Sequence, residues 1–283
     1  MIHRYWFFNF YKSKPVMTLM RLEPPGPFMD GVRSIPMFRR YFGDAFPSNS
    51  NLAIDLCKRG GVSSSSQLVH LGCGPGTVSS IVSSKFGCTI SGIDPSPNLI
   101  GIGITEWKSE ALEFECAPLD SCPLTDAWAT HLLTESQISV ARNPSQILKE
   151  AHRILSDDGK MMNSELVVTN PTLLDDNVNR FIDTIFGQDA DRSMDGWVSL
   201  IEANGFDIIE AREERQIMQS NRKKLGRAMM GFRLLQRTGR LSLSELGLGA
   251  FEDDFNEVVS STLKAMDDGL ISYGSFISKR SIP

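Results

Sequence analysis

Gly72, Gly74 and Gly76, followed about 20 residues on by Asp94, are the residues whose types and spacing imply chemistry. Glycines let backbone approach a ligand closely, and a helix start presents N–H groups that the helix itself does not use. An acid that closes the next strand can bind ribose hydroxyls. Together they describe a nucleotide cradle. The flanking residues supply the elements such a cradle needs. Leu68-Val69-His70-Leu71 reads as a buried strand, Thr77 to Val82 as the start of a helix, and Cys88 to Ile93 as a second strand. A plain glycine turn between strand and helix is the competing reading, and it leaves the aspartate in register unexplained.

The spacing also separates ligand classes. A dinucleotide fingerprint, G-x-G-x-x-G counted from Gly72, would put its third glycine on Thr77, whereas here it is Gly76. On these residues the chain resembles class I S-adenosylmethionine-dependent methyltransferases. Gly72-Cys73-Gly74-Pro75-Gly76 is similar to the family's GCGxG motif, and Gly92-Ile93-Asp94-Pro95-Ser96 to its second motif. Glu150-Ala151-His152-Arg153-Ile154-Leu155 looks like its E-x-x-R-V-L stretch. The closing Tyr273-Gly274 strand with its basic end is similar to small-molecule members of the ubiquinone/menaquinone and arsenite type. The likeness runs from about residue 51 to 280.

What the resemblance implies is an α/β fold: a doubly wound, Rossmann-like, seven-stranded and mostly parallel sheet, strand seven antiparallel between five and six, with helical insertions. It implies S-adenosyl-L-methionine as cofactor, bound by His70, Gly72, Cys73, Gly74, Gly76, Asp94, Pro95, Leu119 and Asp120. The chain departs from the family's pattern in four places. His70 replaces an acid before the glycine loop, Pro118 stands at the adenine-facing acid unless Asp120 substitutes for it, strand four starts without an acid, and Asp157-Asp158 replaces Pro-Gly. Those departures keep a second class open, a non-catalytic or repurposed cofactor-binding protein acting as regulator or structural partner. Methyl transfer from a sulfonium is a displacement, so a base is needed only for an acceptor that must lose a proton. Glu135, at the end of the fourth strand, is the candidate catalytic group near the methyl, with a structural strand-end acid as its alternative.

Composition bounds the rest. The 283 residues are 41% hydrophobic and 22% charged, enough for a substantial core. A net charge of −5 speaks against a general nucleic-acid binder. Five scattered cysteines without a C-x-x-C pair suggest free thiols in a reducing compartment, and no metal site is expected. No run is long and apolar enough to span a bilayer. The expectation is a cytoplasmic enzyme with a small-molecule acceptor, and a homodimer is compatible with it. Residues 1–46, aromatic and proline-rich, form a cover segment ahead of a methyltransferase-like domain at 47–283. An aromatic lid, a membrane-surface contact and an extension ahead of Met17 or Met20 are the three readings of its first residues. A helical insertion at 219–268 mixes cations with Met229, Met230 and Phe232. Met230 and Arg233 are its candidate substrate contacts, against the alternative of a solvated helix face.

Overall fold

The computed structural model describes residues 49–141, 143–186, 191–237, 242–244 and 247–281, without the side chains of 227–237. The cover segment at 1–46 and the side chains of Met230 and Arg233 lie outside the described residues.

Seven strands form one sheet: β1 Gln67–Leu71, β2 Thr89–Asp94, β3 Leu112–Cys116, β4 Ala129–Glu135, β5 Leu155–Val168, β6 Phe206–Glu213 and β7 Ile271–Arg280. Their order is β3-β2-β1-β4-β5-β7-β6. β1 pairs in parallel with β2 and with β4, while β7 runs antiparallel to both β5 and β6. This is the expected doubly wound sheet, its reversed strand between five and six. The strands that run in parallel bring their carboxyl ends to one edge, and ligands of such sheets bind there.

The helices follow from local signals. In α1, Ser50–Gly60, the Asn49 side chain accepts the Leu52 N–H at 2.9 Å, and Gly61 at φ 87° ends the helix. Its buried side is Leu52, Ala53, Leu56 and Cys57, whereas Ile54 is only half-buried. Helices α2 Thr77–Phe86, α3 Pro97–Glu106, α5 Pro144–Ile154 and α7 Met194–Glu202 complete the crossovers, with the short α4 Gln137–Val140 after β4. α6 Asp176–Phe186, α8 Arg215–Arg237 and α9 Phe255–Asp267 are additions to the sheet.

Alternation along each strand divides the core into two layers. Leu68, Leu133, Met162 and Tyr273 face Leu52, Leu56 and Val82 on one side. Val69, Leu132, Met161 and Phe276 face Leu148, Trp197 and Ile201 on the other. A third cluster joins α6 to the insertion, with the Phe181 ring edge-on to Phe251 at 5.4 Å. Arg222 of α8 pairs with Asp267 of α9 at 2.7 Å.

β5 starts at Leu155, before the turn expected at Asp157 to Gly159. The carboxylate of Asp157 accepts Arg280 Nη1 at 3.2 Å, and the same guanidinium donates to the Leu155 carbonyl at 2.7 Å. The departure at Asp157 is therefore tied to the end of β7, at the sheet edge opposite the ligand edge. Glu150 and Arg153 have a comparable stapling role. Glu150 Oε1 accepts the Cys122 N–H at 2.6 Å, and Arg153 reaches Asp126 at 2.6 Å, which fixes the β3–β4 loop onto α5.

Candidate cofactor and active site

The glycine loop joins β1 to α2 at the ligand edge. All three of its glycines lie in the left-handed region, with φ of 74° at Gly72, 56° at Gly74 and 77° at Gly76. Side chains rarely adopt that backbone. Two of the three also lack room: a Cβ on Gly72 would stand 2.2 Å from Gln137 Cγ, and one on Gly76 2.4 Å from the Phe114 ring. The loop folds back on β2 through Gly72 N–H and Cys73 N–H, both donated to the Ile93 carbonyl. Gly76 opens α2 at the N-cap position without a side-chain cap.

Asp94 is the hinge of the arrangement. It is buried at the end of β2, where Oδ2 accepts the Gly74 N–H at 2.8 Å and Oδ1 accepts the Ser96 N–H at 2.9 Å. One carboxylate thus holds the middle of the glycine loop and the start of α3 in register. Pro95 follows, half-buried, and its carbonyl accepts the Cys116 thiol at 3.6 Å, while Ala117 N–H reaches the Asp94 carbonyl. The end of β3 is drawn alongside the end of β2. Cys73 turns its sulfur towards Gly92, and burial, aided by Asp94, pushes its thiol well above the ordinary range.

Two further expected residues lie on the loop after β3. Leu119 is buried in the layer beneath α5. Asp120 is exposed and lines a cleft of about 360 Å³ with Ser121, Gln146, Lys149, Glu150 and Arg153, along α5. Glu135 and His70, by contrast, come together. Both leave their strands on the α1 side, and His70 Nε2 stands 3.6 Å from Glu135 Oε2. The other ring nitrogen lies 2.9 Å from the Ser79 hydroxyl in the first turn of α2.

Several residues at this edge carry no sequence signal. Ser136, one of two non-glycine residues with positive φ among those described, turns the chain from β4 into α4 at φ 58°. Its hydroxyl is hydrogen-bonded to the fully buried Tyr273, and its N–H donates to the Ser164 carbonyl at 2.8 Å. Strain of this kind concentrates at functional positions. Gln137 packs against Gly72, and Trp107 Nε1 donates to the Pro75 carbonyl at 2.8 Å. Glu165, fully buried on β5, accepts the Ser139 N–H at 3.0 Å, and desolvation pushes its carboxyl up to about 8. None of these is spaced from the glycines in a way that a linear pattern reveals.

Comparison with known proteins agrees with this geometry. Residues 69–163 match the family model described as a methyltransferase domain. The chain is 27% identical to methyltransferase GfsG of Streptomyces halstedii over 167 residues, 55% of this chain and 58% of that protein. The match thus spans little more than half the length of that curated relative. Among solved structures, phosphoethanolamine N-methyltransferase 2 of Haemonchus contortus, in complex with S-adenosyl-L-methionine, superposes with a TM-score of 0.69 at 15% identity, over 92% of this chain and 60% of that one. The [4+2]-cyclase SpnF superposes with a TM-score of 0.63 at 17% identity, over 83% and 82%. The chain therefore carries a methyltransferase domain built on the class I methyltransferase fold.

Proposed function

We propose that the chain transfers the methyl group of S-adenosyl-L-methionine to a small-molecule acceptor. The observation that carries this reading is the three-glycine loop, left-handed throughout and latched by the Asp94 carboxylate on the Gly74 N–H. A loop with room for no side chain at Gly72 or Gly76, next to an uncapped helix start, fits the adenosyl and methionyl parts of the cofactor. The cyclase on the same fold is the reason the reading leans on the domain match and the loop rather than on overall shape.

The residues that would hold the cofactor are the loop from Gly72 to Gly76 and Asp94 for the ribose. Each Asp94 oxygen accepts a backbone N–H, which aims the carboxylate of β2 along the glycine loop. When bound, S-adenosylmethionine supplies a methyl on a sulfonium that an acceptor displaces in line. What the chain contributes is position and exclusion of water, worth about 7–11 kcal/mol in favourable cases. The acceptor side is the ligand edge beyond β4 and β5, where the chain leaves β6 for α8 and α9. Met230 and Arg233 of α8 remain its proposed acceptor contacts, residues 1–46 its proposed cover, and a cytoplasmic enzyme without a nucleic-acid partner the proposed setting. Among the described residues no helix is long and apolar enough to cross a membrane.

Calorimetry with S-adenosylhomocysteine tests the reading. Asp94→Ala should weaken binding by about 1.5–3 kcal/mol, the scale of hydrogen bonds to a charged group. Unchanged affinity in a folded variant overturns the ribose assignment, and a wild type that does not bind overturns the function.

A further inference from the structure

The helix that follows β4, α4, is only four residues long, and all four are buried. A helix of that length does not hold itself together, because its first turn fixes several dihedrals for one hydrogen bond. It must be held from outside. A serine at the N-cap ordinarily accepts an N–H from the first turn. Ser136 occupies that position at φ 58° and makes no such bond, its hydroxyl being engaged with Tyr273 instead. The cap comes from another strand. Glu165 of β5, fully buried, accepts the N–H of Ser139, the third residue of the helix, on Oε2 at 3.0 Å. Its neighbour Ser164 adds a second tie, the carbonyl accepting the Ser136 N–H at 2.8 Å. Ser139 closes the turn by donating its hydroxyl to the Ser136 carbonyl at 3.2 Å.

What α4 carries to the glycine loop is its first residue, Gln137, which is itself buried. Its Nε2 donates to the Glu135 carbonyl at 3.2 Å, which folds the side chain back over the end of β4. Its Cγ then fills the space where a Cβ on Gly72 would stand. Gly72 is the first glycine of the loop and is left-handed at φ 74°. A chain of contacts therefore runs from β5 through α4 to the loop. We propose that Glu165 is a positioning residue for the cofactor: by capping α4 it holds Gln137 against Gly72 and keeps the loop in its ligand-binding shape. The acid acts through the helix and not by touching the ligand. This rests on the methyl-transfer reading, and it assigns a role in binding to a strand that the loop motif does not include.

Calorimetry with S-adenosylhomocysteine on the full chain near neutral pH tests this by rescue and by coupling. Glu165→Leu keeps the bulk but removes the acceptor, and should weaken binding about tenfold. Glu165→Gln keeps an oxygen for the Ser139 N–H and should bind within about twofold of the wild type. Gln137→Ala should itself weaken binding about tenfold. Combined with Glu165→Leu it should still cost about tenfold, where independent sites would lose about 100-fold. Hydrogen exchange decides the matter where Glu165→Leu does not fold. Linkage is reciprocal, so saturating S-adenosylhomocysteine should slow exchange of the wild-type Ser139 amide about tenfold, and Gln137→Ala should abolish that slowing. Unchanged affinity in a folded Glu165→Leu, a Glu165→Gln that is equally weak, losses that multiply, or an amide indifferent to the ligand overturns the proposal. Each of these leaves the methyl-transfer reading standing. A wild type that does not bind S-adenosylhomocysteine sinks both.

Discussion

Replacing Glu165 by glutamine should remove a pH-dependent weakness built into β5. The carboxyl is fully buried, and desolvation lifts it from an ordinary 4.5 to about 8 against the opposing pull of the Ser139 N–H. The sign follows from proton counting. Below pH 4.5 the folded and unfolded chains both hold the proton, and the group has no pH effect. As pH rises towards 8 the unfolded chain gives up a proton that the folded chain retains, so stability falls through that window. The window is about 3.5 pH units wide at about 1.4 kcal/mol each, which makes the wild type roughly 5 kcal/mol less stable at pH 8 than at pH 4.5 through this residue alone. Glutamine is neutral throughout. Its carbonyl can keep the Ser139 N–H, and its amide can donate towards Asn163, whose buried side-chain amide makes no other hydrogen bond among the described residues. Urea unfolding of wild type and Glu165→Gln at pH 5, 6, 7 and 8 measures the difference directly. The two curves should converge at the acid end and separate steadily towards pH 8, with the variant the more stable. A separation that is the same at every pH would refute the reasoning, because a packing or hydrogen-bond effect does not titrate.

Two further outcomes follow from the loop and its surroundings. Gly76→Ala should lose cofactor binding and about 1–3 kcal/mol of stability, since the new methyl meets the Phe114 ring at 2.4 Å in a left-handed backbone. Gly74→Ala, with open space around its Cβ position, should cost only the backbone strain of about 1–2 kcal/mol, and thermal melts of the pair separate collision from strain. Tyr273→Phe removes the hydroxyl bonded to Ser136 and should destabilise by about 1 kcal/mol in chemical denaturation. A change well above that would mean the bond also holds the left-handed turn at Ser136 in place.

The strands on either side of the glycine loop were legible because each is a short apolar run closed by glycine or by charge. β1 begins one residue before the expected Leu68, and β2, at Thr89–Asp94, is shifted by one residue from the expected Cys88 to Ile93. The start of β5 was not legible. Asp157-Asp158-Gly159 has turn chemistry, yet pairing with β4 and the contact with Arg280 keep it extended. The glycine loop was readable for a related reason, since left-handed backbone has to be written as glycine. The pairing of His70 with Glu135 had no such signature. It depends on which residue of β4 lies opposite β1, a register set by the whole sheet and not by local spacing. Asp120 likewise sits on a loop whose course is set from a distance, since Glu150 and Arg153 of α5 hold it through Cys122 and Asp126. Side-chain chemistry is written in the chain, whereas the direction in which a loop presents it depends on distant anchors.

The antiparallel placement of β7 has a consequence for how such a protein can change. The chain leaves β6 at Glu213 and returns at Ile271, and Glu214 N–H donates to the Tyr273 carbonyl at 2.6 Å. Departure and return are therefore clasped together at the rim. The entropy of closing the excursion between them grows only with the logarithm of its length, about 0.6 kcal/mol for each doubling. Helices there can be lengthened, shortened or exchanged while the glycine loop, on the far side of β4 and β5, keeps its geometry. The half proposed to recognise the acceptor can drift under selection, and the half proposed to grip the methyl donor need not follow.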